Sequence, residues 1–292
     1  MKKLSVVISA YNEELKIKDC LESVKFADEI IFIDNSSTDK TQIIARKYTD
    51  KIFKRENNLM LNANKNFGFE EASGDWILSL DADERVSSEL RKEIQDVLKK
   101  EVSLSGFKIP RKNIIFGKWI ENTGWYPDYQ IRLFKKNKGK FAQKHVHELL
   151  DVNGDVGIFK EDIVHYNYES IGQFLDKMIR IYTESEAKNL VAKGYEFKLS
   201  DAIRMPISEF LSRFFLQKGY KDGAHGLVLS LLMAFYHFVV FTKLWELNKF
   251  RNEDENTLEL FGEEYKKTSH DIEHWIRHEK KSSSKNPLRR FF

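Results

Sequence analysis

The stretch Gly74-Asp75-Trp76-Ile77-Leu78-Ser79-Leu80-Asp81-Ala82-Asp83-Glu84 decides how this chain is read. Residues 75–80 are nearly apolar throughout, which predicts a strand buried on both faces. The strand runs straight into four residues of which three are acidic. Two carboxylates one residue apart, just past a strand, both face a cleft if the chain turns there. Mg²⁺ and Mn²⁺ need hard oxygen ligands, and Mg²⁺ commonly takes one or two carboxylates together with substrate phosphates. The bare pattern is common in acidic loops, where a carboxylate merely sits near the next helix N-terminus. Its place after a buried strand gives it weight.

Working outward, residues 4–9 read as another buried strand, leading into Tyr11-Asn12-Glu13. A helix is expected over 15–26, with Leu15, Cys20, Leu21 and Val24 facing inward. Residues 29–34 form a second strand, and Ser36-Ser37-Thr38-Asp39 offers caps for a helix running to about Tyr48. A short strand over 51–54, a helix over 62–72 ended by Gly74, and a helix over 87–100 complete this half. Strands alternating with helices indicate an α/β fold with a parallel sheet covered on both faces. Ligands bind such sheets beyond the carboxyl ends of the strands. Three polar clusters collect there: Tyr11 to Glu13, Asp34 to Ser36, and Asp81 to Glu84.

Order and spacing of four segments resemble the nucleotide-sugar-binding half of family-2 glycosyltransferases, which have the GT-A fold. They are Ser5 to Glu14 (SVVISAYNEE), Ile33 to Asp39 (IDNSSTD), Asn64 to Gly68 (NKNFG) and Gly74 to Glu84. Two later pieces, Gly124 to Phe134 (GWYPDYQIRLF) and Val146-His147-Glu148, are similar to a bacterial subgroup. That subgroup includes transferases adding β-linked glucose to the lipopolysaccharide inner core. The resemblance implies a nucleotide-diphospho-sugar transferase fold: a mostly parallel central sheet flanked by helices, with a helical C-terminal extension. It implies that Tyr11 and Glu13 lie along the nucleoside, that Asp34 contacts base or ribose, and that Ser36 and Asp39 shape the same pocket. Lys65 would approach the phosphates, or be an ordinary exposed helix lysine. Asp81 would face ribose or metal, and Asp83 would ligate a Mg²⁺ or Mn²⁺ ion.

Inverting sugar transfer is one in-line displacement, so a carboxylate must take the acceptor proton opposite the leaving group. That base must come from a different segment than Asp81 and Asp83, which leaves Glu148 and Asp128. Glu148 is preferred, because the subgroup's His-Glu pair falls at His147-Glu148; Asp128 has the alternative of a plain turn residue after Pro127. His165, at an expected strand end, is a candidate third metal ligand, though a lone histidine is more often a satisfied polar residue. Arg132 either pairs with phosphate through its fork or is a strand residue facing solvent. Trp125 and Tyr126 suit a sugar face or a core anchor.

The chain has 292 residues, 41% hydrophobic and 13% aromatic, enough for a sizeable core and against disorder. A net charge of +3 does not call for nucleic acid. Cys20 is alone, so no internal disulfide forms, and a reducing compartment is expected. Met1-Lys2-Lys3 and the apolar run after it lack a signal-peptide cleavage site, so the catalytic part is expected in the cytoplasm. Two regions are expected, a catalytic domain over 1–169 and a helical region over 170–292. Helices are expected over 171–192, over 202–218 near Pro206, and over 223–242, whose centre lacks charge. Three readings compete for the last: an interfacial helix pair on anionic lipid at the inner face of the cytoplasmic membrane, a buried or homodimer contact, and a true span. The basic tail over 277–292 is either a solvated end or a membrane contact.

The sequence is thus read as a metal-dependent inverting glycosyltransferase. It would move a hexose from a nucleotide-diphosphate sugar, a UDP-sugar first, to a lipid-linked or cell-envelope glycan. Two rivals are a sugar-1-phosphate nucleotidyltransferase, against which the lack of a Gly-rich loop at Ala10 to Glu13 counts, and a catalytically inactive membrane-surface binding module.

Overall fold

The structure, a computed structural model, describes residues 1–57, 61–142, 149–251 and 256–284. The chain divides into two units. The first holds Met1–Trp119 and Tyr126–Asn167, the second Ile120–Trp125 and the chain from Tyr168 onward.

The first unit opens with β1 (Leu4–Ala10), α1 (Ile17–Ser23), β2 (Glu29–Asp34), α2 (Thr41–Ala45), β3 (Ile52–Lys54), α3 (Leu61–Glu71) and β4 (Trp76–Asp81). There follow β5 (Glu84–Val86), α4 (Ser88–Lys99), β6 (Gly106–Ile115), β7 (Lys118–Trp119) and β8 (Asp128–Lys135). Then come β9 (Gly139–Lys140), β10 (Asp151–Val152), β11 (Val156–Ile158) and β12 (Ile163–Tyr168). The main sheet runs β3-β2-β1-β4-β8-β6-β12-β5, with β7 and β11 also on β6. Its first four strands are parallel. Beyond them β8 lies antiparallel to β4 and β6, β7 antiparallel to β6 and β5 antiparallel to β12, while β11 is parallel to β6, so the sheet is mixed.

The apolar runs alternate faces with the two-residue period of a strand. Leu4, Val6 and Ile8 of β1, Phe32 of β2 and Leu78 of β4 meet Ile17, Cys20 and Leu21 of α1 and Leu90, Ile94 and Leu98 of α4. Val7, Ile31, Ile33 and Ile77 face the other way, onto Phe69 and Ala72. Helices on both faces are why these strands carry almost no polar residue. Leu15, expected inward, is 86% exposed, and Ile17 takes the buried position because α1 begins only there. Gly74 is not a helix cap by conformation. A Cβ there would lie 2.8 Å from the Ser5 amide nitrogen and 2.9 Å from the Lys3 carbonyl, so the residue is small because β1 passes it closely.

The second unit holds α5 (Ile171–Lys177), a π turn over Met178–Tyr182, α6 (Thr183–Ala192), α7 (Asp201–Leu211), a second π turn over Ser212–Leu216, a 3-10 turn over Gly219–Asp222, α8 (Ala224–Leu247) and α9 (Thr257–Ser284). Pro206 lies inside α7 and does not start it. Ala187 of α6 and Val240 and Leu244 of α8 form a buried cluster, joined by Tyr195, Phe197 and Met205. Residues 120–125 are stapled into this unit. Asp222 accepts from the Asn122 amide at 3.0 Å and the Thr123 hydroxyl at 2.8 Å, and Arg213 donates to the Thr123 carbonyl at 2.8 Å.

Candidate active site

Register aligns the strand ends: Ala10 is opposite Asp34, and Ser9 opposite Asp81. The loops after β1 and β2 are then zipped by the polar residues that the sequence shows there. Thr38 donates to Asn12 Oδ1 at 2.8 Å, and Glu13 donates its amide to Thr41 Oγ1 at 2.7 Å. Asp34 accepts from the Ser37 amide, Asp39 from those of Glu14 and Thr41, and Ser36 donates its hydroxyl to the Arg55 carbonyl. Asp39 thus does bind the first amide of the following helix, which begins at Thr41, from one position before Lys40, whose own side chain makes no cap; the other three polar residues are spent on the loops. Burial alone would raise the Asp39 carboxyl, but its hydrogen bonds from Thr41 and Glu14 hold it below the usual range.

Above the zipped loops opens a cavity of about 280 Å³ lined by Ser9, Ala10, Tyr11, Glu13, Asn35, Asn57, Lys65, Asp81 and Ala82. Four of the expected donor-site residues, Tyr11, Glu13, Lys65 and Asp81, thus share one wall. Asp34, Ser36 and Asp39 are not on it; Asp34 is buried beneath the loop. A larger cavity of about 730 Å³ lies at the opposite, amino-terminal ends of β1 and β2 and holds none of these groups.

Asp81 is held by two cations, Lys65 Nζ at 2.5 Å from Oδ1 and Arg132 Nη2 at 2.6 Å from Oδ2. Burial would raise its carboxyl, but Arg132 and Lys65 outweigh it and hold it well below the usual carboxylate range. Arg132 also donates at 2.6 Å to Glu84, which is fully buried and accepts the Asp81 amide as well. Arg132 owes its inward aim to a bulge. Leu133 pairs with Phe107 and Ile131 with Lys108, so Arg132 has no residue opposite it on β6. The consequence is visible in the core, where Leu133 and Ile131, two apart, pack on opposite faces of the sheet. Arg132 therefore neither faces solvent nor waits for a phosphate as an unpaired fork.

Asp128 receives Arg111 through Nε at 2.9 Å and Nη2 at 2.5 Å, both on Oδ2, while Gln130 donates to Oδ1 at 3.0 Å. Burial would raise this carboxyl, but Arg111 foremost holds it below the usual range. Glu148 and His147 lie outside the described residues.

The turn 81–84 continues into β5, which pairs antiparallel with β12 and sets His165 opposite Glu84. His165 Nε2 then lies 3.5 Å from Asp83 Oδ2. Asn113 donates its amide to Asp128 at 3.3 Å, so its carbonyl oxygen faces His165 Nδ1 at 2.6 Å and accepts the Nδ1 proton. Nε2 then faces a carboxylate oxygen, to which it donates when the ring carries both protons and presents a lone pair when it does not. Two acceptors face one another only with a proton or a cation between them, so Asp83 and His165 suit a divalent ion whose other ligands are phosphates and water. Asp81 does not complete a set of three: among the described residues no group of three acidic, histidine or cysteine side chains is placed to hold an ion. Sequence reasoning missed Arg111, Asn113 and Asn57, and it placed Asn35 and Glu84 in the clusters at the strand ends without giving either a role.

Residues 5–153 match the model of glycosyl transferase family 2. The chain belongs to this family. A glycosyltransferase of Rickettsia typhi, itself uncharacterized, is 31% identical over 265 residues, covering 86% of this chain and 90% of the relative. The lipopolysaccharide core biosynthesis glycosyltransferase LpsC of Rhizobium meliloti is 25% identical over 249 residues, 83% of this chain and 92% of that one. Among solved structures, a mannosyltransferase of Pyrobaculum calidifontis in complex with GDP-Man and Mn²⁺ matches with a TM-score of 0.47 at 12% identity, covering 93% of this chain and 84% of that one. As a family-2 glycosyltransferase the protein is an enzyme of sugar transfer.

Proposed function

We propose that this glycosyltransferase moves a hexose from a UDP-sugar to a lipid-linked or cell-envelope glycan, with inversion and with a divalent cation held by Asp83 and His165. The observation that carries the reading is the approach of His165 Nε2 to Asp83 Oδ2 at 3.5 Å, Asp83 being the residue after Ala82 of the cavity wall. A bound Mg²⁺ or Mn²⁺ supplies Lewis-acid neutralisation of the diphosphate leaving group. Tyr11, 42% exposed on that wall, offers a ring face to the nucleobase. Lys65 faces the same space and meets phosphate charge. Both oxygens of Asp128 are engaged and its proton affinity is low, so the base role is assigned to Glu148. It takes the acceptor proton while the new glycosidic bond forms opposite the departing diphosphate.

The likeness to a protein named for lipopolysaccharide core biosynthesis supports an envelope acceptor. Among the described residues, α8 alone is long and apolar enough to cross a membrane, with a mean hydropathy of 1.9. One side of it packs within the helical unit through Leu229, Val240, Phe241 and Leu244, while Leu227, Leu231, Phe235 and Phe238 are exposed. A helix half packed and half bare suits the plane of a lipid interface, and so a peripheral enzyme at the inner face of the cytoplasmic membrane.

A donor-hydrolysis assay with Mn²⁺ tests the reaction. UDP released from a UDP-sugar supports transfer, pyrophosphate from UTP supports nucleotidylation, and neither supports an inactive binding module. Asp83→Ala is expected to abolish the metal-dependent part of the UDP-sugar thermal shift. Glu148→Gln is expected to keep donor binding and lose about 10²- to 10⁴-fold in transfer; wild-type turnover would return the base to Asp128.

A further inference from the structure

We propose that Asn64 is a positioning residue that sets the hydrogen-bonding polarity of the donor pocket. It fixes the Asn35 side chain with its NH₂ end toward the nucleotide, and so favours uracil, with its 4-oxo group, over cytosine, with its 4-amino group. This rests on reading the cavity beside Tyr11 as the donor site.

The chemistry of the network leaves one arrangement of the two amides. Asn64, on α3, is 3% exposed, and its Nδ2 donates to the Glu56 carbonyl at 2.9 Å and to Asn35 Oδ1 at 2.7 Å. A backbone carbonyl only accepts, so the end of Asn64 that meets it is the NH₂. That same NH₂ can meet only the oxygen of Asn35, a residue buried like Asn64 and held through its backbone amide by the Ala10 carbonyl at 2.9 Å. Asn35 Nδ2 is then turned the other way, to Ser9 Oγ at 3.0 Å; the hydroxyl lies farther, 3.4 Å, from Oδ1. Ser9 and Asn35 line the cavity, and Asn64 and Glu56 do not. The donor end of Asn35 is therefore its cavity end. Ser9 engages one of the two protons there, which leaves the second for a ligand.

Place decides which part of the nucleotide meets that proton. The ends of β4, β1 and β2 stand side by side at intervals of roughly 5 Å. Asp81, with Lys65 upon it, ends β4; Tyr11 follows β1, and Asn35 follows β2. A diphosphate at Lys65 and a base on the Tyr11 ring put the glycosidic side of the base toward β4 and its far edge toward Asn35. In a pyrimidine the ring atom opposite the glycosidic nitrogen is C4. Uracil carries a carbonyl oxygen there, which accepts the Asn35 proton. Cytosine carries an amino group, so a donor meets a donor, and the unpaired polar groups cost affinity. An asparagine free to turn over would serve either base. Asn64 removes that freedom.

The test uses the full chain, with UDP and CDP titrated separately by calorimetry in the presence of Mn²⁺. Wild type is expected to bind UDP about tenfold or more tightly than CDP. Asn64→Asp sets an acceptor against Asn35, so the Asn35 amide turns over and presents its oxygen to the cavity. The UDP-to-CDP preference is then expected to fall by about tenfold or more. The added carboxylate repels both diphosphates alike, so its charge leaves their ratio unchanged. Asn64→Ala, which frees the amide to turn, is expected to bring the ratio toward one, and it decides the matter if Asn64→Asp does not fold. A merely structural asparagine would weaken UDP and CDP together and keep their ratio. No preference for UDP in wild type, or a ratio no lower than wild type in a variant of wild-type circular dichroism, overturns the proposal. Failure of wild type to bind either nucleotide would instead overturn the donor-site reading on which it rests.

Discussion

Glu84 shows how much a single side chain organises here. Fully buried, it accepts Arg132 through one oxygen and the Asp81 amide through the other, and Arg111 stands 3.7 Å away. Glu84→Gln keeps the shape but sets an amide NH₂ against one of those donors and leaves Arg132 short of charge. The expected loss is about 3 kcal/mol of folding stability, read by urea denaturation at pH 7. A variant within 1 kcal/mol of wild type would mean that Asp81 alone compensates Arg132. At the same scale Cys20 is settled by its surroundings. Burial foremost pushes its thiol up, away from the reactive thiolate, so this single cysteine packs and does not react.

Between elements, Glu29 at the start of β2 ties three segments together. It accepts from the Ser5 hydroxyl of β1, from the Ser73 amide and hydroxyl after α3, and from Lys51 before β3. Burial would raise its carboxyl, but Lys51, Ser5 and Ser73 together bring it down to about 2 from an ordinary 4.5. Because the folded value is the lower one, the unfolded chain binds more protons between these limits, and the stability this adds is present above about pH 4.5 and lost as pH falls toward 2. Glu29→Gln should therefore cost about 1–2 kcal/mol at pH 7, after allowing for solvent screening around Lys51, and converge with wild type near pH 2. Parallel unfolding midpoints at all pH values would refute it. The strands and helices of the first hundred residues were legible because buried parallel strands need continuous apolar runs. The zipped loops were not, since Asn12, Asp39 and Thr41 look alike as caps or as partners of a distant loop.

At the scale of the molecule, the helical unit carries an apolar exposed stripe on α8, through Leu227, Leu231, Phe235 and Phe238. The full chain is expected to sediment with anionic phospholipid vesicles, and Leu231→Glu with Phe235→Glu to reduce the bound fraction severalfold while UDP-sugar hydrolysis in solution stays at the wild-type rate. Equal sedimentation of both proteins would remove α8 from membrane binding. The sequence by itself determined the α/β architecture, the end of the sheet where chemistry gathers, and the acidic turn after β4, because local apolar runs and their polar punctuation report burial directly. Only the tertiary structure decided which charges meet. Arg132 reaches Asp81 through a bulge that breaks strand periodicity, and His165 reaches Asp83 through an antiparallel pairing of segments some 80 residues apart. Pairing register is a long-range property, and no local pattern of residues encodes it.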